Sequence, residues 1–134
     1  MSKVFAKLNL KDQRTISVLN SPDSFKAELA SLGGVTVIKV LDADAAPEFV
    51  LAFVTRQAEV DELSRAIAGK TKGDAIVWFA YPKGTSRKYT CEFNRDTGWA
   101  VLKKLGFDTV RQVAIDEDWT ALRFRRTEFI KSRS

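Results

Sequence analysis

Apolar residues along the chain form two patterns, short β-branched or aromatic runs and longer stretches with helical spacing. The runs predict six strands, at 14–20, 35–40, 49–54, 75–81, 110–115 and 119–125. Helical spacing lies between them, as in the stripe of Phe25, Leu29 and Leu32. Strands that alternate with helices of about a dozen residues are typical of an α/β protein with right-handed crossovers.

The runs at 49–54 and 75–81 are unbroken, which predicts central strands covered on both faces. Only the turn 116–118 separates the last two strands, so we expect them to pair antiparallel. A sheet that ends in this way is similar to methyltransferase-type Rossmann sheets. We therefore predict a three-layer Rossmann-like sandwich with helices on both faces and a mostly parallel six-stranded sheet, in the order 2-1-3-4-6-5 with strand 6 antiparallel. The link 42–48 is short for a crossover; it either runs extended past strand 1, or strands 2 and 3 pair differently.

Polar residues precede the helical stripes and are predicted N-caps. Ser21 is followed by Pro22 at the first helical position, Thr55 precedes the second stripe, and Asn94 precedes the third. The third helix would then place Arg95 and an acid in its first turn. Residues 4–10 predict one further helical turn at the start of the chain.

Composition places the chain among globular proteins and removes several kinds of chemistry. With 134 residues, 45% of them hydrophobic and 29% charged, it is expected to form one domain, 1–134. Histidine is absent and Cys91 is the only cysteine, so histidine-dependent triads, histidine metal sites and internal disulfides are excluded. No apolar run approaches the ~20 residues of a membrane span, and no signal peptide is recognisable. We predict a cytoplasmic protein that does not contact membranes.

The net charge of +5 is concentrated at the end of the chain. The segment from Arg123 onward carries +4, which leaves +1 for residues 1–122. A basic C-terminal tail from about residue 126 is therefore predicted; such a tail either attracts polyanions or is simply solvated. Because no array of aromatic and basic residues accompanies it, nucleic acid is not an expected partner.

A small anionic ligand is predicted at the carboxyl ends of the strands, where ligands bind in such sheets and where helix N-termini point. The loop 81–88 after strand 4 combines three cations, two hydroxyls and a glycine, although it does not follow the Walker A pattern. A solvated surface loop is the alternative interpretation. The candidate binding residues are Asn20, Ser21, Tyr81, Lys83, Gly84, Thr85, Ser86, Arg87, Arg95, Asp116 and Trp119.

No cofactor, catalytic residue or metal ligand is predicted. The turn Asn20-Ser21-Pro22-Asp23 after strand 1 lacks the glycines that let a backbone approach a nucleotide cofactor. Asp116 and Asp118 have the spacing of turn formers as well as of an acid–base pair. Cys91 is either a small apolar filler or a thiol whose pKa is lowered by nearby cations. Trp119 is the tryptophan we expect to be partly exposed.

Several motifs resemble a small bacterial family of unknown function. They are Tyr81-Pro82-Lys83, Arg95-Asp96-Thr97-Gly98-Trp99, and Gln112-Val113-Ala114-Ile115-Asp116 followed by Trp119 and Thr120-Ala121-Leu122-Arg123-Phe124-Arg125. The resemblance spans nearly the whole chain. It implies a bacterial, cytoplasmic, single-domain protein, and it supplies neither catalytic residues nor a substrate.

Three functions are compatible with these observations. The first is a non-catalytic binding module for a small anionic ligand, held by the strand-end residues. The second is a homodimeric structural or interaction protein, in which Phe129 and Ile130 extend an apolar pattern beyond the last strand. The third is a degenerate methyltransferase-like enzyme that uses Asp or Lys in place of histidine.

Overall fold

A six-stranded sheet runs through the protein in the order β2-β1-β3-β4-β6-β5. The computed structural model describes residues 3–41 and 47–130. The strands are β1 (Thr15–Leu19), β2 (Thr36–Ile38), β3 (Phe49–Phe53), β4 (Ile76–Pro82), β5 (Phe107–Ala114) and β6 (Trp119–Arg126). The first four are parallel where they pair, and β6 is antiparallel to both β4 and β5. The predicted strand order and the antiparallel sixth strand are confirmed.

Strand β1 pairs with both β2 and β3. Thr15 lies opposite Thr36 on one side, and Ser17 lies opposite Val50 on the other. Strands β2 and β3 are therefore separated by β1, as the predicted strand order requires. The predicted extended path of the link between them falls on residues 42–46, which lie outside the described part of the chain.

Two short helices, α1 (Lys3–Lys7) and α2 (Lys26–Ala30), cover one face of the sheet. The Phe5 ring of α1 lies 5.6 Å from that of Phe25 and 6.1 Å from that of Phe49, between centroids. The buried indole of Trp78 donates a hydrogen bond of 2.8 Å to the Leu8 carbonyl. This bond satisfies the polar atom of a large side chain on the central strand β4.

The opposite face is covered by α3 (Gln57–Lys70) and α4 (Ala100–Lys104). Val60, Ile67 and Leu102 are fully buried there and belong to one apolar cluster with Phe79 and Trp99. Because alternate residues of β3 and β4 belong to the two clusters, both faces of the central strands are packed. The three-layer arrangement predicted from the apolar pattern is confirmed.

Two helix starts differ from the predicted caps. The chain after β1 begins with a 3-10 turn at Asp23–Phe25, whose N-cap is Pro22 rather than Ser21. The N-cap of α3 is Arg56, not Thr55. A Glu59 carboxylate oxygen folds back and accepts the backbone N–H of Thr55 at 2.9 Å and that of Arg56 at 3.1 Å. A carboxylate at the third helical position thus satisfies the N–H of the N-cap residue and that of the residue before it, which is the carboxylate's half of a capping box.

The third predicted helix is much shorter than expected, since α4 begins at Ala100 and has five residues. The Asn94 side-chain oxygen accepts the N–H groups of Asp96 at 2.8 Å and Thr97 at 3.1 Å, which closes a local turn and not a helix cap. Gly98 follows with a φ of +100°. This left-handed backbone stops a helix from starting earlier, so Arg95 lies in an irregular segment.

The C-terminal arginines within the described part of the chain are held by specific partners. Arg125 forms a bidentate ion pair with Asp74, with N–O distances of 2.8 and 2.6 Å. Arg126, where we expected the tail to begin, is the last residue of β6. Its guanidinium donates to the Thr71 carbonyl at 2.9 Å and lies 4.8 Å from the centroid of the Phe107 ring. Both charges therefore help to attach β6 to the end of α3.

Two further observations concern possible partners. Phe129 and Ile130 are half-buried, so they offer less exposed apolar surface than the pattern predicts. None of the helices within 3–41 and 47–130 has the length and apolar character needed to cross a membrane.

Candidate functional site

A cleft of about 570 Å³ lies at the carboxyl end of β4, next to the face covered by α3 and α4. We call it the β4 cleft. Sheet residues form its floor, and two loops form its walls. The lining residues are Tyr81, Lys83, Gly84, Thr85, Asn94, Arg95, Gln112, Ala114 and Thr120. Tyr81 and Ala114 both lie opposite Thr120 in the strand register, which brings three neighbouring strands together in the floor.

Neutral polar groups are joined by hydrogen bonds across the floor. The Gln112 amide donates to the Tyr81 hydroxyl at 3.4 Å and to the Thr120 hydroxyl at 3.3 Å. Thr120 in turn donates to the Val113 carbonyl at 3.2 Å. Among the described residues, the Tyr81 proton and the Gln112 carbonyl oxygen have no partner in these bonds. The floor thus presents one donor and one acceptor to the cleft.

Burial raises the pKa of Tyr81 above its ordinary value, with a smaller opposing effect from the Arg95 charge. The tyrosine is buried beneath Phe93 and Trp99, whose rings lie 5.8 and 5.7 Å from its own. At neutral pH the side chain is therefore an uncharged phenol that donates a hydrogen bond. It is a poor general base, because its anion is disfavoured by burial.

The two walls carry cations. Lys83 is half-buried, and its backbone N–H donates to the Asp118 carbonyl at 2.8 Å, which ties its loop to the β5–β6 turn. Arg95 is exposed and lines the cleft from the second loop. Its Nε atom is 3.5 Å from an Asp96 carboxylate oxygen, in an ion pair open to solvent. The described residues that line this cleft include two cations, Lys83 and Arg95, and no carboxylate.

Five of the predicted site residues line the β4 cleft, namely Tyr81, Lys83, Gly84, Thr85 and Arg95. The structure adds Asn94, Gln112, Ala114 and Thr120. Gln112 interrupts the apolar alternation of a strand, and that interruption is the sequence signal for a polar side chain on this face.

Two predicted residues instead hold the loops in place. The Ser86 hydroxyl donates to an Asp118 carboxylate oxygen at 2.8 Å, and it lines a smaller neighbouring hollow of about 310 Å³. An Asp116 carboxylate oxygen accepts the N–H groups of Asp118 at 2.8 Å and Trp119 at 2.9 Å. Asp116 is therefore used as a turn former.

Trp119 was expected to be partly exposed, and this expectation is wrong. Its exposed fraction is 3%. Its ring lies edge-on to Phe53 at 5.1 Å and close to Tyr89 at 4.9 Å. The residue packs in the layer of α1 and α2, because strand alternation turns it away from the face of the cleft.

The remaining predicted residues lie apart from the β4 cleft. Asn20 and Ser21 follow β1, which is separated from β4 by β3. Arg87 is exposed and lines none of the clefts described here.

Cys91 does not have the lowered pKa that its cationic neighbours suggested. Burial raises the pKa of the thiol, and a hydrogen bond from the Phe93 backbone opposes this only in part. The side chain packs at the edge of the α3–α4 apolar cluster, which makes it an apolar filler.

Comparisons with known proteins identify a fold. No family model and no curated protein matches the sequence. Among solved structures, a SAM-dependent methyltransferase from Aquifex aeolicus matches with a TM-score of 0.64 and 13% identity, over 93% of this chain and 88% of that one. A mitomycin 7-O-methyltransferase matches with a TM-score of 0.64 and 13% identity, over 92% of this chain and 53% of that chain, so the present chain spans about half of its length.

A magnesium protoporphyrin IX methyltransferase from Synechocystis, solved with bound SAH, also matches. The TM-score is 0.56 and the identity is 12%, over 92% of this chain and 78% of that chain. At such identities the likeness shows the fold alone. The chain therefore has the Rossmann-like α/β fold of SAM-dependent methyltransferases, as the end of the sheet predicted.

The turn after β1 does not fit a nucleotide-like cofactor. In nucleotide-binding Rossmann sheets, glycines at this turn let backbone N–H groups approach the ligand closely. Here Asn20 takes a left-handed φ of +58° but carries a side chain, and Pro22 has no N–H to donate. The helix that follows begins as a 3-10 turn and continues for only five residues in α2. The residues present are therefore a poor match for adenosylmethionine in this position.

Proposed function

We propose that the protein is a non-catalytic binding module that holds a small anionic ligand in the β4 cleft, in the bacterial cytoplasm. The observation that carries this proposal is the charge arrangement of the cleft. Lys83 and Arg95 line the cleft from two different loops, and no described lining residue is a carboxylate. A phosphate or carboxylate between these loops would gain two charge-assisted contacts.

The floor favours recognition over reaction. Tyr81 is an uncharged donor because burial raises its pKa, and Gln112 and Thr120 do not ionise near neutral pH. These groups bind a ligand through fixed hydrogen bonds and do not offer an ionisable group for proton transfer. A raised tyrosine pKa is the opposite of what a general base at pH 7 requires.

Isothermal titration calorimetry tests the proposal directly. Inorganic phosphate, sugar phosphates, dicarboxylates and nucleotides are titrated into the wild-type protein at low ionic strength. The best ligand is then titrated into Lys83→Ala and Arg95→Ala. A hydrogen bond to a charged group contributes about 1.5–3 kcal/mol, so each variant should weaken binding by about tenfold or more.

Arg87→Ala is the matched control. Arg87 lies in the same loop as Lys83 and is exposed, but it does not line the cleft. Its removal should change affinity less than twofold beyond the general loss of one surface charge. If Lys83→Ala and Arg87→Ala weaken binding equally, anions are attracted by the surface charge in general and are not bound in the cleft, and the proposal fails.

A methyltransferase-like enzyme is the second candidate, and the likeness of the fold favours it. The turn at Asn20 and Pro22 argues against it for the physical reasons given above. Thermal unfolding with adenosylmethionine separates the two functions. A specific rise in melting temperature that Lys83→Ala leaves intact would support the enzyme, whereas a rise only with anions that Lys83→Ala abolishes would support the binding module.

A further inference from the structure

A second cleft of about 390 Å³ adjoins the first along the edge strand β5. We call it the β5 cleft. Its lining residues are Arg95, Asp96, Lys103, Thr109, Val110, Arg111, Gln112 and Leu122. Arg95 and Gln112 line both clefts, so the two share a wall.

The β5 cleft also carries an excess of cations. Lys103, on α4, is exposed and forms no ion pair with a carboxylate of the described residues. Arg111 contributes only its place in the edge strand, because it lies opposite Arg123 in the register and its side chain leaves the sheet on the face of α1 and α2. Asp96 is the one carboxylate among the lining residues described, and it is largely exposed beside Arg95. Lys83 thus lines only the first of the joined clefts and Lys103 only the second, and Arg95 and Gln112 lie in the wall that the two share.

The joined clefts are larger than one small anion needs. Pockets for small ligands occupy about 300–1,000 Å³, and each of the two clefts alone falls in that range. A single phosphate near Lys83 and Arg95 would leave the β5 cleft and Lys103 unused. An elongated molecule would place one anionic group on each side of the shared wall.

We infer that the ligand is a small molecule with two separated anionic groups, of the chemical class of a sugar bisphosphate. One group lies near Lys83 and Arg95, and the other lies near Lys103. The uncharged middle of the molecule faces Gln112, whose carbonyl oxygen is an available acceptor for a ligand hydroxyl. This inference rests on the proposed function, because it requires the first anion site.

The test compares fructose 1,6-bisphosphate with fructose 6-phosphate by calorimetry at one low ionic strength. Two linked anion contacts should make the bisphosphate bind about tenfold or more tightly than the monophosphate. Lys103→Ala should remove most of this preference and leave the affinity for the monophosphate nearly unchanged. Lys104→Ala, the neighbouring exposed lysine of α4 that does not line the cleft, should leave the preference intact.

The failure of this inference differs from the failure of the proposed function. Equal affinities for the two sugars, or a preference that Lys103→Ala leaves in place, would overturn the two-anion ligand, even when Lys83→Ala still weakens both. Absence of measurable binding by either sugar and by inorganic phosphate would overturn both. Circular dichroism of each variant checks that the substitutions at these exposed positions keep the fold.

Discussion

Replacing Gly98 with alanine should strongly destabilise the segment that forms one wall of the β4 cleft. Gly98 has a φ of +100°, which residues with a Cβ rarely adopt. A Cβ built there would lie 2.6 Å from the Phe93 Cβ and 2.9 Å from a Gln57 side-chain oxygen. Phe93 cannot move aside easily, because its ring packs edge-on to Trp99 at 5.1 Å between centroids.

The two effects of Gly98→Ala have separate magnitudes. Backbone strain at positive φ costs about 1–2 kcal/mol. Forcing an extra methyl group into a packed contact costs about 1–3 kcal/mol. Together they predict a fall of about 2–5 kcal/mol in the free energy of unfolding. For a domain of this size each kcal/mol is worth about 3–5 °C, so the melting temperature should fall by at least about 6 °C.

Two other glycines provide controls for urea unfolding followed by tryptophan fluorescence. Gly106 has a φ of +93° but no atom within 4 Å of a built Cβ, so Gly106→Ala should lower the free energy of unfolding by the backbone strain alone. Gly69 lies inside α3 with open space around it, and Gly69→Ala should raise the free energy of unfolding by up to about 1 kcal/mol. A Gly98→Ala variant no less stable than Gly106→Ala would refute the close approach to Phe93, and with it the position of this wall.

Three further outcomes are expected. The hydrogen-bonded Arg125 guanidinium lowers the pKa of Asp74. The pair therefore stabilises the folded protein fully at pH values above the pKa of the unfolded carboxyl, about 3.9, and this stabilisation is lost as the pH falls through the lower pKa of the folded state. Because the pair is partly exposed, Asp74→Asn should lower the free energy of unfolding by less than about 1 kcal/mol near pH 7. The free energy of unfolding of the variant should also fall less steeply with decreasing pH than that of the wild type, and identical pH dependences would contradict this. Burial raises the pKa of Cys91, so iodoacetamide should alkylate it at pH 7.5 more slowly than it alkylates free cysteine, and an equal or faster rate would show an activated thiol. Tyr81→Phe should weaken ligand binding about tenfold while leaving the melting temperature within a few degrees, and unchanged affinity would remove the phenol from the site.

The sheet was predictable because its signals are long and redundant. The run at Phe49–Phe53 is apolar at every position, which only a strand covered on both faces accommodates well. The turn between Ala114 and Trp119 is too short for any connection except a hairpin. Together they predict a central β3 and an antiparallel pair of β5 and β6. The position of β6 between β4 and β5 followed from the similarity to methyltransferase-type sheets.

Local hydrogen bonds explain most of what the sequence did not predict. Asn94 was expected to cap a helix, but its side chain closes a turn with Asp96 and Thr97 instead. Asp116 likewise accepts two N–H groups of the hairpin turn and does not line the β4 cleft. In each case one polar side chain has two compatible roles, and the choice depends on backbone geometry that a residue pattern does not contain.

The composition of the cleft was only partly predictable, because it depends on strand register. The loop residues Lys83, Gly84 and Thr85 stood out as a basic loop after a strand. Gln112 and Thr120 join them because the hairpin register places Gln112 opposite Leu122 and Ala114 opposite Thr120, and Thr120 lies opposite Tyr81. This register fixes which residues share a face of the sheet, and a residue pattern alone does not supply it.

The position of the ligand tests the account most directly, and backbone amide chemical shifts measure it. The protein labelled with nitrogen-15 is titrated with inorganic phosphate and then with fructose 1,6-bisphosphate at low ionic strength. We expect the largest shift changes at Lys83–Thr85, Asn94–Arg95, Gln112 and Thr120, with Asn20 and Ser21 little affected. Changes centred on Asn20 and Ser21, with the β4 cleft unaffected, would contradict the account and place the ligand at the end of β1.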